Sequence, residues 1–165
     1  MAEMAEVRAL FPTIEKYGVD DIYVDSEALP WVPYSADGAY FKPLRFNVRD
    51  GHWAVTLKVK GGGMLGRHQH HGPVTAYTVK GSWRYAEYDW VARPGDMVHE
   101  SPGVIHTLHC DDPEGMEVFF ITEGAIDYFG DDDSFAGQQT VFWFVDEYRK
   151  HCEENGLEVN EGLFY

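Results

Sequence analysis

The sequence predicts an all-β fold, an antiparallel sandwich or barrel with a short N-terminal segment and a C-terminal helix. Three observations predict this fold. Short runs rich in Val, Tyr, Phe, Trp and Thr follow one another, they recur roughly every ten residues, and clusters of Gly, Pro, Asp and Asn separate them. Regular short strands with turn signals are typical of sandwiches and barrels rather than of βαβ units. A chain of 165 residues suits a single domain, which we expect over residues 1–165.

The strand-like runs begin after a weak helical pattern in residues 1–18 and continue to about residue 130, so we expect the barrel over about residues 20–130. Asp50-Gly51 and Lys80-Gly81 are clear turn signals between strands, and so is Pro94-Gly95-Asp96. The runs are DIYVD, AYFKPLRFNV, HWAVTLKV, VTAYTVK, SWRYAEY, WVAR, DMVHE, VIHTLH, MEVFFITEG and AIDYFG.

The C-terminal helix is predicted over about residues 141–155. Its segment, VFWFVDEYRKHCEEN, has apolar residues at helical spacing on one aromatic face, and Gly156 follows as a stop signal. A turn-like run of three Asp residues, 131–133, separates the helix from the last strand-like run.

Composition and charge exclude several functional classes. With 44% hydrophobic residues the chain can form a core, which excludes a disordered protein. A net charge of −15 repels phosphate backbones and anionic headgroups, so we expect neither nucleic acid nor a membrane as partner. The start of the chain is acidic and lacks a secretory apolar run, which predicts a cytoplasmic protein. Cys110 and Cys152 are accordingly expected to be free, buried thiols.

Histidines concentrate in two of the predicted strands, GRHQHHG and VIHTLH. Residues two apart in a strand share a face, so His68 and His70 point the same way. If the second strand pairs nearby, His106 can supply a third nitrogen about 2.1 Å from a shared cation. Imidazole ligands suit Fe(II), Ni(II), Zn(II) and Cu(II). The alternative for any single histidine is a solvated or core residue, which we favour for His52, His99 and His151.

These two segments resemble the two sequence motifs of the cupin superfamily, a double-stranded antiparallel β-barrel. The residues that fall on the motifs are Gly62, His68, His70 and Gly81 for the first, and Gly95, Pro102, Gly103 and His106 for the second. The glutamate of the first motif would stand at Val74, which cannot supply a carboxylate. The chain therefore resembles the cupins that bind metal through three histidines alone, as acetylacetone dioxygenase-like proteins do.

A closer resemblance covers about residues 27–150. The strings WVPYSADGAYFKPLRFN, GHWAVTLKV, GPVTAYTVKGSWRYAEYDWVARPG and SPGVIHTL are similar to 2,4'-dihydroxyacetophenone dioxygenase and its relatives among cupins of anti-sigma-factor type. This resemblance implies a non-haem Fe(II) dioxygenase that inserts O2 between a ketone carbon and its hydroxylated neighbour, which yields two carboxylic acids. Zn(II) or Ni(II) could occupy the protein as isolated.

Candidate pocket residues follow from this reading. An aryl ketone requires an apolar wall, although for each aromatic side chain taken alone we favour a place in the barrel core. Glu100 lies six residues before His106 with the same strand parity, so we consider it a catalytic candidate that holds a His N–H or a bound water. Its alternative is a solvated strand residue. The pocket candidates are Val74, Trp53, Tyr85 and Phe120, with Trp31, Tyr34, Trp83 and Phe119 as further aromatic residues.

Three functional hypotheses remain at this point. The first is the dioxygenase with a small ketone and O2 as substrates, and the second is a zinc-binding cupin that senses a ligand or restrains a regulator. A metal-bearing isomerase or an inert relative is the third. The N-terminal extension is only about 18 residues, too short for a helical regulatory domain, which favours the enzyme. The resemblance also implies a homodimer or higher oligomer, because cupins of this kind usually pair through N-terminal strands. The strand-like runs DIYVD and WVPYS precede the barrel motifs here, and such edge strands are better covered than exposed.

Overall fold

The strands of this protein pair into two antiparallel sheets, which confirms the predicted fold class. Alternating apolar and polar residues bury one face of each sheet. The computed structural model describes residues 11–13, 15–16, 18 and 20–165. The strands are β1 (Val32–Pro33), β2 (Ala39–Phe46), β3 (His52–Val59), β4 (Met64–His70), β5 (Val74–Lys80), β6 (Trp83–Tyr85), β7 (Met97–Glu100), β8 (Ile105–Cys110), β9 (Met116–Glu123), β10 (Ala125–Phe129) and β11 (Phe135–Thr140).

One sheet has six strands in the order β1-β2-β3-β9-β5-β7, and the other has five in the order β11-β10-β4-β8-β6. Side chains alternate across each strand, so one face of each sheet is buried between the two. In β3, for example, Trp53, Val55 and Leu57 are buried while the residues between them are more exposed. Val55 lies opposite Phe120 of β9, and both contribute to the same core.

The C-terminal helix spans Val141–Asn155, as predicted, and contacts the edge strands β1 and β11. Its Phe144 packs against Trp53 and Phe41, with ring centroids 4.9 Å and 5.1 Å apart. Gly156 ends the helix in the left-handed region at φ 65°, where glycine has no steric penalty. The helix therefore closes the seam between the two sheets on the side of β1 and β11.

Two of the predicted strands are wrong. Residues 21–25, DIYVD, form no strand, because Asp25 instead caps a 3-10 helix at Ser26–Ala28 by accepting a hydrogen bond from the Glu27 N–H. The run WVAR contributes only one isolated bridge, between Ala92 and Trp83.

The barrel boundary also differs from the prediction. Sheet residues extend from Val32 to Thr140 rather than over about 20–130, because the polar segment Phe135–Thr140 pairs with β10 as β11. Its Gly and Gln residues lack the apolar alternation by which strands are recognised.

The N-terminal predictions fall largely outside the described residues. Residues 11–13 and 15–16 are helical, whereas residues 1–10, 14, 17 and 19 lie outside the described part. Of the two runs expected to mediate dimerisation, only WVPYS holds a strand, the two-residue β1. The homodimer stays a prediction. In the part of the chain that the structure describes, no helix is long and apolar enough to cross a membrane.

Candidate metal site

Three buried histidines meet on the inner face of the five-stranded sheet. His68 on β4 lies directly opposite His106 on β8, and His70 follows two residues along β4 on the same face. One ring nitrogen of each lies within 4.8 Å of those of the other two. The structure therefore brings together the three side chains that the sequence predicted as metal ligands.

The hydrogen bonds of the cluster leave nitrogen lone pairs available. His68 Nδ1 lies 2.7 Å from the Gly66 carbonyl oxygen, which can only accept, so Nδ1 carries the proton and Nε2 is free to bind a cation. His70 Nδ1 and His106 Nε2 are buried without a hydrogen-bond partner. Buried polar atoms usually have partners, so an orphan nitrogen beside two other imidazoles fits a bound metal ion.

Burial keeps His68 and His106 neutral. It lowers the pKa of His68 to about 3, with the neighbouring His70 and His106 adding to the effect. Burial likewise lowers the pKa of His106 to about 4, although the carboxylate of Glu100 acts in the opposite direction. Neutral imidazole is the form that binds metals, so these two side chains need not lose a proton at neutral pH.

Glu100 lies beside the histidines and is 4% exposed, so the alternative of a solvated strand residue is wrong. Its Oε1 accepts a hydrogen bond of 2.7 Å from the Tyr85 hydroxyl. Its Oε2 lies 3.1 Å from His70 Nε2 and 3.6 Å from His106 Nε2, yet makes no aligned hydrogen bond. Burial acts to raise the pKa of Glu100, but nearby His70 and the Tyr85 hydroxyl outweigh it and hold that pKa below its ordinary value.

Tyr85 positions two neighbouring side chains, His106 and Glu100. Its ring stacks on His106 at a centroid distance of 3.7 Å and an interplanar angle of 2°. Burial, followed by the charge of Glu100, raises the pKa of Tyr85 well above its ordinary value, so the hydroxyl remains a hydrogen-bond donor. Tyr85 thus fixes one histidine ring and one carboxylate oxygen at once.

Val74 stands where the cupin motif has its glutamate, and it lies directly opposite Glu100 on the neighbouring strand β7. Val74 is fully buried in the core and does not line the cavity beside the histidines. Its prediction as a pocket residue is therefore wrong. The carboxylate of this site comes instead from the cross-strand partner of Val74.

An inner cavity of about 40 Å³ adjoins His68 and His70. Three of the substrate-pocket candidates, Trp53, Tyr85 and Phe120, line this inner cavity together with Tyr34. The remaining walls are mostly aliphatic and aromatic side chains from both sheets and the C-terminal helix. They include Phe41, Val55, Leu57, Leu65, Leu108, Ile126, Tyr128 and Phe144.

Three other aromatic candidates do not line this cavity. Trp83 is buried in the core, and its indole N–H donates to the Thr78 hydroxyl. Trp31 lies under the ammonium groups of Lys42 and Lys58. Phe119 is half-buried on the opposite face of β9 from Phe120, as strand alternation requires.

Sequence reasoning missed a polar network at the helix side of the inner cavity. The Tyr34 hydroxyl donates to Gln139 Oε1 at 2.5 Å, so the Tyr128 hydroxyl, 2.6 Å away, donates to Tyr34. Burial raises the pKa of Tyr128 to about 12 and that of Tyr34 well above its ordinary value. Tyr34 lies far from both partners along the chain, so no local pattern could have indicated this network.

A second, larger depression of about 410 Å³ lies on the other side of Tyr85, and we call it the outer groove. It occupies the seam between β6 and β7, and His106 and Glu100 belong to its lining. No pattern in the sequence indicated this groove. Its lining residues are Tyr85, Tyr88, Trp90, Met97, Val98, His99, Glu100, Ser101, Val104 and His106.

The remaining histidines of the two motifs lie apart from the cluster. His71 is largely exposed, and its Nε2 lies 2.6 Å from Asp127 Oδ2. His109 is half-buried opposite Met64 at the far end of β4. His71 is one residue from His70 and His109 three residues from His106, so neither shares a strand face with the clustered histidine of its motif.

This protein has two facing antiparallel sheets that enclose a group of three imidazoles. These features place it in the class of cupin barrels. Residues 19–127 match the family of the ChrR Cupin-like domain, and the chain belongs to this family. No curated protein matches the chain significantly.

Solved structures agree with the family. An RmlC-like cupin protein from Ralstonia eutropha JMP134 is 29% identical with a TM-score of 0.83, covering 93% of this chain and 97% of that one. A protein of unknown function with a cupin-like fold from the same organism is 25% identical with a TM-score of 0.78, covering 85% and 91%. An acetylacetone dioxygenase from Acinetobacter johnsonii shares the fold at 14% identity and a TM-score of 0.70, covering 81% and 93%.

Proposed function

We propose that this protein is a metal-dependent dioxygenase that cleaves a carbon–carbon bond of a small oxygenated ketone, an aryl α-hydroxyketone or a β-diketone, with O2. One observation carries the proposal: three buried imidazoles, two of them with nitrogen atoms that have no hydrogen-bond partner, converge within 4.8 Å beside an apolar cavity. His68, His70 and His106 would hold the metal. The fold is also used by an acetylacetone dioxygenase.

The proposed metal is Fe(II), since three imidazole ligands suit it and leave its remaining positions open. Bound Fe(II) would supply a chelating centre for the two ketone oxygens and the redox chemistry that O2 activation requires. For an α-hydroxyketone R–CO–CH2OH, addition of both oxygen atoms gives R–COOH and HCOOH. Atoms balance without a further reductant.

Glu100 is the proposed proton acceptor. Its Oε2 has no hydrogen-bond partner and lies beside two of the three histidines, where a substrate hydroxyl would approach. Its lowered pKa keeps the carboxyl group ionised at neutral pH, and the Tyr85 hydroxyl fixes the other oxygen. A substrate hydroxyl within hydrogen-bond reach of Oε2 would satisfy the geometric requirement for general-base catalysis.

Metal analysis combined with O2 uptake tests the proposal. Protein purified without added metal is analysed for bound elements, then loaded with Fe(II) or Zn(II) and mixed with 2,4'-dihydroxyacetophenone or acetylacetone. We expect O2 uptake with iron and none with zinc, because Zn(II) has no accessible redox step. His68→Ala should lose most of the bound metal, whereas the matched control His71→Ala, one position beyond His70, should keep it.

The second candidate is a zinc-binding module without redox activity that senses a ligand or restrains a regulatory protein. The match to the ChrR Cupin-like domain favours it, as does a ligand set that also suits Zn(II). Absence of O2 uptake across both ketone classes, with iron verified in the site, would replace the dioxygenase by this module. Retention of metal in the double variant His68→Ala, His70→Ala would place the metal elsewhere.

A further inference from the structure

The outer groove is lined by two buried side chains that belong to or adjoin the candidate metal site. It opens along the seam between β6 and β7, the edge strands of the two sheets opposite the C-terminal helix. Glu100 and His106 belong to its lining. The inner cavity lies on the opposite side of Tyr85, which lines both spaces.

We propose that the outer groove binds the aromatic ring of the substrate, so that the oxygenated carbons reach the histidines from the seam rather than from the barrel interior. This inference rests on the proposed function and specifies its substrate class as an uncharged aryl ketone. Four side chains would form the ring site: Tyr88, Trp90, Met97 and Val104.

Size separates the two spaces. The inner cavity of about 40 Å³ has room for about three waters, since one water requires roughly 10–15 Å³ of cavity volume. An aryl ketone of about ten non-hydrogen atoms does not fit there without moving the packed core. The groove, at about 410 Å³, falls in the range of roughly 300–1,000 Å³ that is typical of small-molecule sites.

The chemistry of the lining suits a flat apolar ring. Tyr88 and Trp90 stack on each other with centroids 5.7 Å apart and an interplanar angle of 17°. Met97, which is 63% exposed, contributes a thioether that packs well against ring edges. Trp90 also contacts Trp83 and Tyr85 edge-on, which holds its ring in place. Exposed aromatic and Met side chains in a concave site are more typical of ligand binding than of a solvated surface.

Charge restricts the ligand to an uncharged one. The groove lining contains no Lys or Arg, while Glu100 contributes a carboxylate with a partnerless Oε2. A ligand carboxylate or phosphate would meet this negative charge and the field of a chain with net charge −15. A hydroxyl group next to the ketone would instead donate a hydrogen bond to Oε2.

Ligand binding to the zinc-loaded protein tests the inference without turnover. We expect calorimetry with 2,4'-dihydroxyacetophenone to give saturable binding to the unchanged protein. Tyr88→Ala and Met97→Ala should each weaken it roughly threefold to tenfold. Val104→Trp, which fills the groove, should abolish it. The matched control Tyr40→Ala removes an aromatic residue of β2 that is comparably exposed, at 40%, and lies outside the groove, and it should bind as the unchanged protein does.

The two proposals fail in different ways. Unchanged affinity in Val104→Trp and Tyr88→Ala, or no binding to the zinc-loaded protein, would overturn the groove as the ring site. O2 uptake by the iron-loaded protein measures the proposed function separately. Ring binding in the groove without O2 uptake would retain the groove and reject the dioxygenase. Circular dichroism and thermal unfolding of each variant establish that a loss of binding does not reflect a loss of fold.

Discussion

The two seams of the barrel differ in how they are filled. On the side of β1 and β11, the C-terminal helix inserts Phe144 among Phe41, Trp53 and Tyr34, and the remaining cavity is about 40 Å³. On the side of β6 and β7, aromatic side chains line a groove of about 410 Å³ that stays open to solvent. Apolar side chains of comparable type therefore close one seam and leave the other accessible.

The difference shows how a small β-barrel can combine a stable core with a groove that a ligand can enter. Close packing at the helix seam buries a large aromatic surface. Burial of apolar surface is the dominant stabilising contribution to folding. The open seam buries less, and its groove ends against Glu100 and His106, which are themselves buried. The histidine cluster lies between the two, so each seam can be altered separately and its consequence measured.

The largest expected effect is on the helix seam. Phe144→Ala should lower the free energy of unfolding by about 3–5 kcal/mol, because it removes a fully packed aromatic ring and leaves a cavity. Urea denaturation measures the change. Phe142→Ala on the same helix, where the side chain is 57% exposed, should stay within about 0.5 kcal/mol of the unchanged protein. Equal effects of the two substitutions would contradict the assignment of the helix as the closing element.

Metal binding between the seams should give the next largest effect. Zinc at a free concentration about 100 times its Kd should raise the free energy of unfolding by about 2.7 kcal/mol, because it binds only the folded protein. His106→Ala should abolish this gain, measured as the difference with and without zinc. His109→Ala, on the same strand but outside the cluster, should preserve it. A gain that survives in His106→Ala would mean that zinc binds elsewhere.

Tyr85, which lines both spaces, should give a smaller change. Tyr85→Phe keeps the ring stacked on His106 but leaves Glu100 Oε1 without its donor, which should cost about 2 kcal/mol in chemical denaturation. Tyr77→Phe removes a hydroxyl from an exposed ring and should change stability little. A neutral outcome for Tyr85→Phe would show that another group takes over the carboxylate oxygen.

The smallest effect on stability is expected at the open seam. Tyr88→Ala and Met97→Ala should each change the free energy of unfolding by less than about 0.5 kcal/mol, because both side chains are largely exposed. Thermal unfolding of the two variants checks this. A loss comparable to that of Phe144→Ala would show that the groove residues support the fold as strongly as the helix does.

Several features could be predicted because they depend on local sequence. The spacing of His68 and His70 places both on one strand face, and the cupin motifs indicated His106 as their partner. Apolar periodicity with Gly156 as a stop gave the helix bounds at Val141–Asn155. Phe120 lines the inner cavity, whereas Phe119 beside it faces the other way, a distinction that depends on the parity of the strand.

The fold class, the helix and the three clustered histidines could be read from the chain, because periodicity and motif spacing are local properties of the chain. Packing in three dimensions was needed to show that Val74 is core, that Glu100 across the ladder places a carboxylate beside the histidines, and that one seam remains open. These outcomes depend on strand register and on which edge the helix covers. Both are set by packing between residues far apart in the chain, as the hydrogen bond from Tyr34 to Gln139 illustrates.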